Sequence, residues 1–431
     1  MRRVEVRMAR NRTRKLAWAE NAAIVLLAVL AFFLAWKTGM LQDTLPTLGP
    51  GQGVAGGYST GPAVSLGGSS PVRMMIRDGD SRFGAEYNQD AVELMSDQGL
   101  SELLDGSLRE MESPEPVSEE VWQQTLTEAS KWIYYDYLDT MIFDQQNARG
   151  AGAGRFFLVT EKSGEANEVL FYNEGERTFY RGKLREQVDY PSLVIPSNGA
   201  VFAFEEGSEA ESLAPYMMVL DSPPDCLVYQ AANPIQTLEP DGWMPLVEAL
   251  DFNAKAASPY TTATGSVIRE GADTLRVMND GTLQFHGADA GETRYSALSD
   301  REKDLQLKAE EILDQATQNF RGPAGLSCRE VRTMEDGQTE VLFDYILNGA
   351  RVQLWGEGWA ARFLFRDNVV TAYTILLRSY EATEESCSLL PVRQAAAAAA
   401  AMGRQGAELQ VVYPDDGGDR ISAVWTVREP R

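Results

Sequence analysis

The sequence predicts an α+β protein. A single N-terminal transmembrane helix is followed by two or more extracytoplasmic domains of antiparallel sheets with packed helices. Three observations predict this. An uncharged apolar run lies near the start of the 431-residue chain. Short strand-like segments separated by Gly, Asn and Asp fill most of the remainder. Helical patterns interrupt these segments in a few places and do not alternate with them, which favours antiparallel pairing.

The apolar run at 21–36 has sixteen residues without a formal charge. Crossing the hydrocarbon core takes about 20 residues, and flanking residues extend the run over 16–41. Trp18 and Trp36 bracket it at positions suited to the membrane interfaces, and Lys37 can reach outward to water. Seven basic side chains and one acidic one occupy 1–15. The positive-inside rule therefore keeps 1–15 in the cytoplasm and places everything beyond the span outside. A cleaved signal peptide is the competing reading. Phe33-Leu34-Ala35-Trp36-Lys37 is a poor cleavage site, which favours a retained anchor. Ala28, Ala31 and Ala35 share one face of the predicted helix. Ala31-xxx-Ala35 is a small-xxx-small pair of the kind that lets helices approach closely in lipid, so these three are the candidate contact for a partner helix.

Net charge is −24, and with the basic tail set aside the body is more acidic still. Such a body repels nucleic acid and anionic lipid; solubility is the favoured reading of its charge and a basic partner the alternative. The stretch 42–70 is rich in Gly, Pro, Ser and Thr and reads as a flexible linker. Cys226, Cys328 and Cys387 show no CxxC spacing, which argues against a disulfide framework and a zinc site. Cys328 and Cys387 could meet within 300–431, but buried free thiols are the favoured reading.

From 71 to 299 the pattern opens with "PVRMMIRDGDSRFGAEY", a strand pair turning at Asp78-Gly79. Val92, Met95, Leu100, Leu103, Leu104 and Leu108 then recur at helical spacing. Ser118 can cap a second helix, with Glu119 and Glu120 in its first turn. "KWIYYDY", "GRFFLVTE", "EVLFYNE", "RTFYRGK", "GAVFAF" and "MMVLDS" read as strands. "DGWMPLVEALDF" reads as a helix, and "GSVIREGADTLRVMNDGTLQFHG" as two or three strands. A boundary is expected near Asp300. Beyond it, over 300–431, an amphipathic helix turns Leu305, Ala309, Ile312, Leu313 and Ala316 inward. Antiparallel strands, the Ala-rich helix "LPVRQAAAAAAAMG" and two closing strands complete an α+β unit.

Catalytic signatures are sparse. His286 is the sole histidine, at a strand end, so a Ser–His–Asp triad has to use it, and no G-x-S-x-G elbow supplies a serine. "RGAGAGR" at 149–155 lacks the Lys-Ser/Thr and following helix of a phosphate loop. Glu119/Glu120 and Glu384/Glu385 are adjacent pairs that point apart and read as solvated faces. "DDGGD" at 415–419 lacks the spaced ligands of a calcium loop and reads as a turn. No catalytic, cofactor-binding or metal-binding residues are assigned.

The order of these features resembles the YycH family: a basic start, one span, a low-complexity tether, then "PVRMMIRDGDSRFGAEYNQDA" leading to "VSEEVWQQTLTEASKWIYYDY". "GSVIREGADTLRVMNDGTLQFHG" resembles a segment of clostridial YycH-like proteins. "LFDYILNGARVQLWGEGWAARFLFRDNVVTAYTILLRSYE" is similar to the YycI-type C-terminal unit. The resemblance implies a YycH-like region at 71–299 and a YycI-like domain at 300–431. It also implies a non-enzymatic accessory regulator of a two-component sensor histidine kinase (WalK, also called YycG) that controls cell-wall metabolism. Partners would be that kinase and a second YycH/YycI-type protein, contacted partly between membrane helices. The alternative is an exported, membrane-tethered cell-wall enzyme or carbohydrate-binding module, with Trp132, Tyr134, Tyr135, Tyr137, Trp355 and Trp359 stacking on sugars.

Overall fold

A computed structural model describes residues 71–428, except 143–152, 194–196, 207–212, 238–241, 254–258, 288–292, 357 and 405. The expected tail, span and linker at 1–15, 16–41 and 42–70 lie outside the described residues, and so do Ala28, Ala31 and Ala35. Among the described residues no helix is long and apolar enough to cross a membrane. What is described is an α+β architecture of mixed sheets and packed helices.

The opening hairpin forms as expected. β1 (Arg73–Asp78) and β2 (Ser81–Glu86) pair antiparallel around Gly79, whose φ of 61° suits a residue without a Cβ. They join β3 (Glu115–Val117), β4 (Lys131–Ile142), β5 (Ala153–Lys162), β6 (Glu165–Asn173) and β7 (Thr178–Asp189). The seven strands lie in the order β2-β1-β4-β5-β6-β7-β3, all antiparallel. The helical pattern after β2 is split into Gln89–Met95 and Ser101–Glu110 by a kink at Gly99 with φ of 86°. Asn88 caps the first helix, its Oδ1 accepting the Ala91 N–H at 3.0 Å. The six apolar residues expected on one helical face are all buried, against Ile133, Tyr135, Phe157 and Phe171. Trp122, from the helix Glu119–Glu128, covers the opposite sheet face with Trp132, Tyr134, Phe156 and Phe202. Cover on both faces explains why "KWIYYDYL" and "FFLV" are continuously apolar rather than alternating.

β8 (Val201–Phe202) and β9 (Met218–Val219) form a short pair. β10 (Leu227–Ala232) opens the rest of the strand set: β11 (Tyr260–Thr262), β12 (Gly265–Glu270), β13 (Asp273–Met278), β14 (Thr282–His286), β15 (Gly325–Thr333), β16 (Thr339–Leu347), β17 (Ala350–Leu354), β18 (Ala361–Arg366), β19 (Val369–Leu376), β20 (Ser379–Ser386), β21 (Glu408–Asp415), β22 (Arg420–Ile421) and β23 (Val424–Arg428). The large sheet runs β11-β12-β13-β14-β19-β18-β16-β17-β21-β23, with β15 also on β16, and β20-β10-β22 form a small one. The hydrogen-bonded sheet passes across residue 300, since β14 pairs with β19. One pair departs from the expected antiparallel pattern: β17 and β21 are parallel. A parallel pair needs a long crossover, and here β18–β20 and the helix Val392–Ala401 supply it. The helix Glu302–Thr317 buries all five expected residues against Phe343, Phe363 and Tyr373. Ala395, Ala396 and Ala399 bring the Ala-rich helix close to Leu213, Met217 and Leu409.

Buried charge joins the two large sheets. β4 carries Asp136 and Asp139, which a regular strand would point to opposite faces. The left-handed conformation of Leu138, φ 67°, breaks that alternation. Asp136 accepts from Arg155 at 3.3 Å and lies 3.5 Å from Arg73, and Arg155 binds Glu408 of β21 through both terminal nitrogens. Arg428 of β23 holds Glu174 at 3.0 and 2.8 Å and donates to the Leu138 carbonyl at 2.8 Å. In a second cluster Arg351 of β17 bridges Asp139 and Asp344 of β16, Arg329 also grips Asp344, and Ser327 donates to Asp139 at 2.9 Å. Burial pushes Asp136 and Glu408 upward, but the arginines beside them outweigh it and hold both below the usual carboxylate range. At Asp344 burial wins over Arg351 and Arg329, and its carboxyl is raised. Removing one member of such a cluster leaves an uncompensated buried charge and costs roughly 3–5 kcal/mol. Arg155, 1% exposed, is the sharpest case. Arg155→Met is expected to lower the unfolding free energy by about that amount, while a further Glu408→Leu recovers part of the loss; equilibrium denaturation of the two variants checks this.

Glu86 stands apart from these pairs. It lies opposite Arg73 on β2, is 5% exposed, and neither carboxylate oxygen has a hydrogen-bond partner. Burial pushes its carboxyl up to about 7, against the pull of Arg73 and with a small push from Asp136. Between the ordinary carboxylate range and about 7 the folded chain holds a proton that the unfolded chain releases. Its contribution is therefore full below the unfolded value and is lost as pH rises through that window. Glu86→Gln is expected to match the unmodified chain at pH 4 and to exceed it by about 3 kcal/mol at pH 8, read by urea unfolding at both values. An equal loss at both would contradict this assignment.

Candidate functional site

The hairpin between β16 and β17 turns at Asn348-Gly349, with φ of 50° and 78°, the dihedral pattern that makes Asn-Gly a favoured two-residue turn. That turn is fastened to the first sheet. Asn348 Oδ1 accepts the Gln89 N–H at 2.7 Å, and its Nδ2 donates to the carbonyls of Tyr87 at 2.6 Å and Asp225 at 3.4 Å. A Cβ on Gly349 would meet the Val72 carbonyl oxygen at 3.1 Å, so only glycine fits the approach comfortably.

Around this joint opens a cleft of about 760 Å³. Val72, Leu227, Tyr229, Leu326 and Ile346 give it an apolar lining. Its acidic lining comes from Asp90 and Glu93 on the helix Gln89–Met95, Glu310 and Asp314 on the helix Glu302–Thr317, and Asp225. Arg321 is the one basic residue lining it among the described residues, and it donates to Asp314 at 2.7 Å. Burial raises the Glu310 carboxyl, opposed by Lys303 and reinforced by Asp314. Five carboxylates against the Arg321 guanidinium, already bound to Asp314, and Lys303 beside Glu310 leave the cleft an excess of negative charge that favours positive ligands. Among the described residues no histidine or cysteine lines it, and the one serine, Ser327, gives its hydroxyl to Asp139.

The residues weighed from sequence fall elsewhere. His286 ends β14 and is exposed, opposite Thr274 and Ala372. Glu119 accepts from Gln123 at 2.9 Å, and Glu385 pairs with Arg420 on the surface. The "DDGGD" segment does turn, yet its first residue is a buried receptor: Asp415 binds Arg378 at 2.9 and 2.8 Å and Tyr380 Oη at 3.0 Å. Of "RGAGAGR", 149–152 lie outside the described residues, and Arg155 is the buried ion-pair member. Among the described residues no group of three His, Cys, Asp or Glu side chains is placed to hold a metal ion. Trp132, Tyr134, Tyr135 and Tyr137 belong to the core. Trp355 is 40% exposed, with the Arg378 guanidinium 5.2 Å from its ring centroid, and Trp359 is half-buried. The strands do not bring Cys328 and Cys387 together, and all three cysteines are free thiols. Cys328 faces Phe343 across β15 and β16, while Cys387 lies beside Cys226.

No family model matches the chain, and no curated protein matches it. Among solved structures, an uncharacterized protein from Eubacterium rectale is similar over 47% of this chain and 76% of its own, at 10% sequence identity and a TM-score of 0.26. A likeness that slight carries no argument about fold or function.

The joint that shapes the cleft can be tested directly. Asn348→Ala removes all three side-chain hydrogen bonds and places Ala at positive φ. It is expected to cost about 2–4 kcal/mol in equilibrium unfolding. A loss below about 0.5 kcal/mol, the range of ordinary surface changes, would show that the joint is not holding the cleft.

Proposed function

We propose that this chain is a non-enzymatic, membrane-anchored accessory regulator of a two-component sensor histidine kinase of the WalK (YycG) type, and that it docks a basic segment of its partner in the acidic cleft. The single observation that carries the docking reading is the set of five carboxylates lining a partly apolar cleft, against Arg321 in the lining and Lys303 beside Glu310. A partly apolar cleft with acidic side chains suits a peptide that presents Lys or Arg side chains beside an aliphatic one. The anchor reading is supported by the apolar run at 21–36 behind seven basic residues, which sets the C-terminal domains outside the cell membrane. Ala28, Ala31 and Ala35 are then the helix contact within the bilayer, and a second YycH/YycI-type protein is a further partner. Coupling of about 1–3 kcal/mol is enough, since it changes an equilibrium 5–150-fold.

Membrane crosslinking with identification of the captured protein tests the reading. Ala31→Leu with Ala35→Leu is expected to reduce recovery of the kinase, and Asp90→Lys with Glu93→Lys to reduce it about tenfold through the cleft. Recovery unaffected by the first pair removes the helix contact. Recovery unaffected by both pairs overturns the proposal. Saturable binding of the full chain to purified peptidoglycan would instead favour the cell-wall module, with Trp355 as its exposed aromatic.

A further inference from the structure

Cys226 directly precedes β10, and Cys387 directly follows β20. These strands pair antiparallel with Leu227 opposite Ser386, so one step further the two cysteines stand opposite each other. The Cys387 N–H donates to the Cys226 carbonyl at 2.6 Å, which continues the ladder to that position. Residues opposed in this way have Cα atoms roughly 5.5 Å apart and side chains on the same face. Disulfides take Cα separations of about 4.4–6.8 Å. Both side chains do face one way: Cys226 is a buried member of the cluster around Tyr229, Tyr345 and Tyr413, and Cys387 packs against that cluster half-buried. The Cys387 thiol donates to the Leu227 carbonyl at 3.4 Å, and its sulfur accepts the Ala423 N–H at 3.1 Å. Burial, then the neighbouring Cys387, pushes the Cys226 thiol up to about 12, against a hydrogen bond with Tyr413. Cys328 has no thiol opposite it.

We propose that Cys226 and Cys387 are a paired oxidation site that closes to a disulfide at the expense of a disulfide donor, such as oxidised glutathione or the active-site disulfide of an oxidoreductase. Cys387, the less buried of the two, attacks as the thiolate one donor sulfur and expels the other as a thiolate. Cys226 then gives up its proton and displaces the remaining donor sulfur. Two thiols are oxidised, one donor disulfide is reduced to two thiols, and the S–S bond joins β10 to β20. The bond ties together the two ends of a chain stretch that contains β11–β19. It requires no membrane or partner, so it stands independently of the regulatory reading.

The purified full chain, treated with oxidised glutathione, alkylated in denaturant and digested without reduction, tests this. The expected result is one linked pair of peptides, containing Cys226 and Cys387 and lighter by two hydrogen atoms. Free thiols are expected to fall from the three of the reduced chain to one, at Cys328. Reductant is then expected to lower Tm by roughly 5–10 °C. Cys387→Ser abolishes that difference and Cys328→Ala keeps it. Three free thiols after treatment, a linkage that includes Cys328, or only mixed adducts with glutathione would overturn the proposal.

Discussion

Everything else in the described structure depends on the ionic seam between Asp136, Arg155, Glu408 and their neighbours. Two large sheets could share a purely apolar interface, which would tolerate sliding and alternative registers. A guanidinium that reaches carboxylates on β4 and on β21 at once does not. Because each charge has left water, it is stable only in the one geometry that pairs it. In this chain that geometry fixes β21 and β23 against β4 and β5, while Arg351 does the same for β17 against Asp139. The seam adds little net stability compared with an apolar contact of the same shape; its effect is to set position.

The position so fixed is what makes the cleft. The Asn348-Gly349 turn reaches Tyr87 and Gln89 because β16 and β17 are held by Asp344, Arg351 and Asp139 a few residues away. Helix Gln89–Met95 and helix Glu302–Thr317 then both contribute acidic residues to one cleft that Val72, Leu227, Tyr229, Leu326 and Ile346 also line. These residues come from distant parts of the chain, so the cleft exists only when both sheets are docked. A ligand that touches both sides of the cleft therefore binds only the docked state.

Local patterns in the sequence announce most elements. The spacing of Val92, Met95, Leu100, Leu103, Leu104 and Leu108 foretells a helical stretch, though not its break at Gly99, and Asp78-Gly79 foretells its hairpin. The parallel pairing of β17 with β21 is not legible, because no local feature of "ARVQL" or "ELQVVYP" reports its partner. The seam left a fainter signal: Asp136 in "YYDY", Arg155 in "GRFF", Asp344 in "FDYI" and Arg351 in "GARV" are charges set within apolar strand runs. A charge in such a run must be paired or neutral, yet sequence alone does not say with what. The cleft is harder still, since Asp90, Asp225 and Glu310 look like ordinary surface carboxylates until the fold brings them together. Cys226 and Cys387 are likewise invisible as a pair until β10 is placed beside β20.

The central claim is that the buried charges make the two large sheets one cooperative unit. Native-state hydrogen exchange of the full chain, followed by mass spectrometry of peptides from β4–β5 and from β21–β23, tests it most directly. The account requires both sets of core amides to open with the same free energy and the same dependence on denaturant. Exchange of β21–β23 at a distinctly lower free energy, with β4–β5 still protected, would contradict it.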